Sequence, residues 1–456
     1  MKLWQKDTNT NNAVEKFTIG NDREFDLQLA PFDILGSIAH AKMLASVNLL
    51  TSEEAALVVS ELKNIYAIIN PQPVTHNSSL TTNHSTFPID DSFEDIHSQI
   101  EFLLTEKLGD TGKKIHSARS RNDQVLVDIK LFLRYSIQEL VDSIHTFFNL
   151  LQQKSEQYKD HSLPGYTHLQ LAMPSSFGLW FGAYAESLVD DMITLKAAYD
   201  VVNKNPLGSA AGYGSSFPID RELTTELLGF ATLNYNSVYA QMSRGKAERI
   251  TAQALANVAD TLAKMSMDIC LYLNQNFNFI SFPAQLTTGS SIMPHKKNPD
   301  VFELIRSHCN RIKALPNEIM MMTTNLPSGY HRDLQLLKEN LFPAFTTLQD
   351  CIGMATLMLE NIEVKENILS EEKYKYAFSV EEVNKLVLQG LPFRDAYRKI
   401  SEDIAENKFH ANVSVEHTHE GSAGNLQTQS INNMMQQVIA GFDFENLYKA
   451  LSSLLK

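Results

Sequence analysis

Four long apolar stripes at helical spacing limit most strongly what this chain can fold into. One runs Val125, Ile129, Phe132, Ile137, Leu140, Ile144 and Phe148. A second runs Phe177, Phe181, Tyr184, Leu188, Met192, Leu195, Tyr199 and Val202. A third runs Ile250, Ala254, Val258, Leu262, Met265, Ile269 and Tyr272, and a fourth Leu341, Phe345, Leu348, Ile352, Ala355 and Leu359. Steps of three and four residues place each set on one helical face. Each stripe covers about twenty residues or more, well beyond the mean helix of about 11–12. Helices of matched length with stripes this wide pack as a bundle, so an all-α fold with a central long-helix bundle is predicted. Phe302, Ile305, Cys309 and Ile312 begin a further helix, which Pro316 is expected to kink or interrupt.

Strand-like alternation is scarce, and no repeat or low-complexity tract stands out. Residues 1–115 mix shorter helices with a polar stretch rich in Asn, Ser, Thr and Pro, 71–85, which reads as loop. After Ile362 the pattern changes to short helices joined by turns. Three regions follow: an N-terminal, mostly helical domain (1–115), the bundle (116–362) and a small C-terminal helical domain (363–456).

The composition, 43% hydrophobic and 20% charged over 456 residues, suits a globular protein with a large core. A net charge of −14 with no basic block argues against a nucleic-acid partner. No apolar leader opens the chain, and no stretch approaches the ~20 apolar residues of a membrane span. Cys270, Cys309 and Cys351 lie far apart in helical segments. They read as small buried hydrophobes in a reducing compartment, which points to the cytoplasm.

Three polar stretches punctuated by glycine or proline interrupt the helical pattern: His116–Gln124, Gly165–Gln170 and Gly289–Pro299. Each is expected at or near the start of a long helix, where free backbone N–H groups and the positive dipole end favour a carboxylate. With their hydroxyls, amides and cations, they suggest a site for a small polyanion. On an acidic protein, that polyanion must be drawn in by a locally basic site.

The third stretch, Gly-Ser-Ser-Ile-Met-Pro-His-Lys-Lys-Asn-Pro over 289–299, matches GSSxMPxKxNP at every fixed position. In this the chain resembles the fumarase/aspartase superfamily. Ala118-Arg-Ser-Arg-Asn-Asp-Gln-Val125 stands where its argininosuccinate lyase family writes GRSRNDQV. GYTHLQ (165–170) and LPxxYxxDxQxxKE (326–339) also take that family's form, as do Glu94-Asp-Ile-His97 and Pro392-Phe-Arg394. The likeness runs from about Asp26 to Tyr397. It implies a homotetramer with a merged helical core, active sites shared between subunits, and elimination of fumarate from argininosuccinate without metal or organic cofactor.

The same resemblance distributes the roles. Ser290 is the expected general base. Lys296 and Asn298 stabilise the doubly charged aci-carboxylate formed on proton removal, the charge that should dominate catalysis. Ser120, Arg121, Asn122 and Thr167 bind the succinyl carboxylates, with Gln170 beside them. His168 lies near the acid step, acting through water or orienting a carboxylate, because the leaving guanidine must hold or receive a proton. Asp26, Tyr330, Gln335 and Lys338 hold the amino-acid end. No metal set is expected, since His97 and Glu101, one helical turn apart, lack a third ligand in a matching pattern.

The chain also departs from the family. Where the family continues NSxDxxSDRD, Arg244 is kept but the acidic positions are Tyr239, Ser243 and Gly245, and RAQP becomes Leu171-Ala-Met-Pro174. Loss of carboxylates there raises the alternative of an N-acylated argininosuccinate as substrate. Adenylosuccinate is a second alternative, and a crystallin-like structural protein a third.

Overall fold

The computed structural model describes residues 11–70, 87–90, 92–412, 415 and 417–456; the polar stretch 71–85 lies outside them. Its principal helices are α1 (Ala30–Ser46), α2 (Ser52–Ile69), α3 (Ile96–Leu108), α4 (Arg121–Gln157), α5 (Phe177–Val202), α6 (Lys246–Leu273), α7 (Asp300–Met322), α8 (Leu337–Glu360), α9 (Ser379–Leu388), α10 (Phe393–Ala405), α11 (Thr428–Ala440) and α12 (Phe444–Leu455). The fold is all-α, as the stripes require. Strand pairing among the described residues is confined to short two-stranded sheets. Two of them matter here: β1 (Ser162–Thr167) with β2 (Gln170–Ser176), and β3 (Thr288–Gly289) with β4 (Lys297–Asn298).

The four stripes are α4, α5, α6 and α8, and their apolar faces are buried in one continuous core. α1 packs into the same core, and a smaller cluster of Val383, Ala396, Ile400 and Phe409 sits between α9 and α10. α7 continues as helix through Pro316, so the interruption, one of the two outcomes expected there, does not occur. A helical proline removes one N–H and crowds the carbonyl four residues earlier; here Leu315 and Ile319 on either side stay buried in the core.

α4 sets the scale. Ser120 caps it in a reciprocal capping box with Asp123, and its 37 residues extend about 55 Å. At its far end Lys154 Nζ donates to the carbonyl of Glu360, the last residue of α8, at 3.2 Å, so α8 runs parallel to α4. α5 returns the other way: Lys130 Nζ, near the start of α4, donates to the carbonyl of Lys204 just beyond α5, at 2.9 Å. The last turn of α6 places Tyr272 against Trp180 at the start of α5, 5.5 Å between rings. Its first turn lies beside Thr323 at the end of α7. The bundle therefore has two ends, one holding the starts of α4, α6 and α8, the other the starts of α5 and α7.

Candidate active site

The expected site residues divide between these two ends. At the first, Asp26, Arg121, Tyr330, Gln335 and Lys338 line one cavity of about 100 Å³. The Lys338 ammonium lies against the carboxylates of both Asp22 and Asp26, with only 4% of its side chain exposed. Burial would lower the Lys338 pKa, but the charges of Asp26 and Asp22 prevail and raise it. Burial and then the charge of Asp26 push Asp22 up to about 7. Gln335 Nε2 donates to the carbonyls of Thr18 and Ile19 at 3.1 and 3.2 Å. Arg121 Nε sits 3.3 Å from Asp95 Oδ2, and its two terminal nitrogens donate to Gln124 Oε1 (2.6 Å) and Ser98 Oγ (3.1 Å). Ser120 and Asn122 share that helix turn, where Ser120 Oγ accepts the Asn122 N–H at 3.3 Å.

At the other end, Thr167, His168 and Gln170 occupy the tip of the β1–β2 hairpin, and all three are exposed. This corrects the expectation of a helix start: α5 begins only at Phe177. The turn between Thr167 and Gln170 is His168-Leu169, with both φ values positive, 52° and 60°. Two such residues are what a tight hairpin turn of the twist-matching kind needs, normally met by Asn and Gly. Holding a histidine and a leucine there costs on the order of 1–3 kcal/mol each.

The GSS stretch does precede a helix, α7, and forms the loop 290–296 between β3 and β4. Ser290 Oγ accepts the backbone N–H groups of Ile292 and Met293 at 3.4 and 3.2 Å. Asn298 Nδ2 donates to the Gly289 carbonyl at 3.3 Å, and Thr288 hydrogen-bonds Asp300 across the neck of the loop. Lys296 is exposed on the same loop. With backbone donors aimed at the serine oxygen and an ammonium nearby in sequence, the loop suits a developing alkoxide.

One chain does not bring the two groups together. Ser120 and Arg121 open α4, the hairpin follows its other end, and about 55 Å of helix lies between.

Sequence reasoning missed Asp22 and Asp95 as charged partners lining the cavity, and further pairings behind it. Beside the positions where the family's carboxylates are missing, Glu248 Oε1 lies 3.0 Å from Arg244 Nε and its Oε2 accepts the Gly245 N–H at 2.7 Å. Gly245 has φ 75°, and a Cβ there would stand 2.6 Å from Thr323 Cγ2. A side chain at 245 is thus crowded, and Arg244, just before α6, pairs with Glu248 four residues on, a spacing that was the available signal. Also unforeseen was a buried trio of possible metal-ligating type, Asp33, His97 and Asp128.

A family model described as lyase matches residues 3–314. The argininosuccinate lyase of Phocaeicola vulgatus is 56% identical over 454 residues, covering 100% of this chain and 99% of that protein. That of Thermotoga neapolitana is 35% identical over 407 residues, 89% of this chain and 99% of that protein. Among solved structures, EDDS lyase in complex with formate superposes with a TM-score of 0.74 at 20% identity over 98% of this chain and 94% of that one. A class II fumarase from Schistosoma mansoni superposes at 0.67 and 16% identity over 93% and 90%. These two likenesses speak to the fold alone. The chain is a carbon–nitrogen lyase of the lyase family. Within that family it belongs to the argininosuccinate lyases.

Proposed function

We propose that this protein cleaves argininosuccinate to arginine and fumarate by β-elimination. The observation that carries the chemistry is the Ser290 oxygen held by two backbone N–H groups. As an alkoxide, Ser290 takes the proton from the carbon β to the leaving nitrogen. The C–H electron pair moves into the adjacent carboxylate as an aci-form, and Lys296 and Asn298 meet that charge. The pair then returns to form the C=C bond of fumarate while the C–N pair leaves on the guanidine, its proton managed from the side of His168. Ser120, Arg121, Asn122, Thr167 and Gln170 bind the succinyl end; Asp26, Tyr330, Gln335 and Lys338 bind the amino-acid end. No metal or organic cofactor enters this scheme. The names of the relatives favour neither adenylosuccinate nor an N-acylated substrate nor a structural role.

The working unit in this reading is a homotetramer with shared sites, located in the cytoplasm and divided into regions 1–115, 116–362 and 363–456. The support is geometric: two half-sites at opposite ends of one bundle are joined when a second copy lies antiparallel. Ile193, Met267, Leu304, Met321, Met354 and Leu357 are between 42% and 63% exposed, an apolar surface suited to such a partner.

Release of fumarate, followed by its ultraviolet absorbance, tests the reaction; turnover of adenylosuccinate instead would refute the substrate. Ser290→Ala is expected to lower kcat by about 10²–10⁴-fold, the range of a lost general base. Near-normal turnover would show that another group removes the proton. Co-refolding Ser290→Ala with Arg121→Ala chains is expected to restore part of the activity, because some sites then receive both intact residues. No recovery in verified mixed oligomers would refute sharing.

A further inference from the structure

Behind the cavity lies a polar cluster that no role above uses. His97 on α3, Asp33 on α1 and Asp128 on α4 have side chains no more than 1% exposed. His97 Nδ1 is 3.1 Å from Asp33 Oδ1 and 3.4 Å from Asp128 Oδ2. Burial, then the charge of Asp33, pushes the Asp128 carboxyl well above its usual range. Burial alone would also raise Asp33, but the charges of His97 and Arg119 and the contact from Gln124 outweigh it and hold Asp33 at about 2. Asp33 Oδ1, facing both His97 Nδ1 and the Gln124 amide, is thus the acceptor where three helices meet.

That acceptor connects outward through Gln124. Gln124 Nε2 donates to Asp33 Oδ1 at 2.5 Å. A primary amide has one donor end and one acceptor end, so committing its nitrogen to Asp33 turns its oxygen the other way. The oxygen accepts from Arg121 Nη1 at 2.6 Å. Ser98, the neighbour of His97 on α3, accepts from Arg121 Nη2, and Asp95 flanks Nε. One N–H on each terminal nitrogen is thus hydrogen-bonded from behind, with Asp95 pairing the charge at Nε, and the second N–H of each terminal nitrogen is left for a ligand.

We propose that Gln124, set by the Asp33–His97–Asp128 trio, is a positioning residue for Arg121, fixing the direction in which its guanidinium meets a carboxylate of the substrate. The inference rests on the functional reading above and adds a part to it. The trio also has the composition of a cation site, but Asp33 Oδ1 already accepts from Gln124, and Arg119, itself buried, acts on the same carboxylates. A pre-aimed guanidinium binds with less ordering cost, and one that must be ordered on binding loses affinity first.

The test is a double-mutant cycle on the full-length enzyme with argininosuccinate. Gln124→Met keeps the volume and removes both hydrogen bonds. KM is expected to rise about tenfold to a hundredfold with kcat within about threefold, the pattern of lost ground-state binding. In an Arg121→Lys background the same change is expected to add less than about twofold, since the group it aims is gone. Equal effects in both backgrounds, or a fall in kcat at constant KM, would overturn the proposal. Should Gln124→Met fail to fold, Asp33→Asn gives the same readout by freeing the amide to turn over. One equivalent of divalent metal per purified chain would also overturn it, because the trio would then be ligands. Absence of fumarate release by the unaltered enzyme refutes the function itself and is read separately from the cycle.

Discussion

Replacing Lys338 by Met probes the most heavily charged buried contact in the cavity. The lysine is 4% exposed and faces Asp26, 2% exposed, and Asp22, 16% exposed. Without the cation, two neighbouring carboxylates lose their only shared counter-charge among the described ion pairs. Removing one partner of a buried pair costs about 3–5 kcal/mol, and that full cost applies when both carboxyls are ionised. The cost depends on pH in a defined direction. Asp22 already takes up its proton near 7, against 3.8 for the ordinary group. The folded protein therefore binds more protons than the unfolded chain between those values, and this group's contribution is greatest at low pH and lost as pH rises through 7. In the variant both carboxyls shift further upward. Each proton retained on folding recovers up to about 1.4 kcal/mol per pH unit, so a loss of about 4 kcal/mol at about pH 8.5 should shrink to about 2 at about pH 6. Urea unfolding at both pH values and one protein concentration measures this. Adding Asp26→Asn should return more than half of the loss at the higher pH. A pH-independent loss, or a double variant no more stable than the single one, would refute the argument.

Gly178→Ala would place a Cβ 2.5 Å from Lys159 Cα and 2.6 Å from the Ser155 carbonyl, forcing α5 away from α4 beneath the hairpin; a loss of about 1–3 kcal/mol in urea unfolding is expected, with a lower kcat because the His168 turn moves. Arg134→Met removes a fully buried guanidinium that donates to the Leu228 carbonyl at 3.0 Å and to that of Gly229, and a loss of about 3–5 kcal/mol is expected by the same measurement. Treatment with EDTA is expected to leave fumarate release unchanged, and a clear loss would overturn the cofactor-free scheme.

The bundle was legible because each stripe repeats one physical requirement, burial of a single face, over many turns. The cavity end was legible only as far as the motifs reached. Arg121, Gln335 and Lys338 stood out, while Asp22 and Asp95 did not, since their partners Lys338 and Arg121 lie in other segments and no local spacing announces a tertiary ion pair. GYTHLQ was placed at a helix start because glycine and polar residues before an apolar stripe usually mark one. The hairpin won because two consecutive left-handed residues close a turn, and neither His168 nor Leu169 declares that conformation in sequence. Pro316 does not interrupt α7, because burial of Leu315 and Ile319 beside it offsets one lost hydrogen bond.

The length of α4 has a consequence for which changes the protein tolerates. A rod of 37 residues separates the groups that one chain contributes to two different places. Substitutions along its exposed face leave that separation untouched. A single inserted residue advances everything beyond it by about 1.5 Å and turns it by about 100°. The hairpin tip would then point elsewhere while every residue of the chemistry was still present. Mid-helix insertions and deletions in α4 should therefore abolish turnover far more often than substitutions at the same positions.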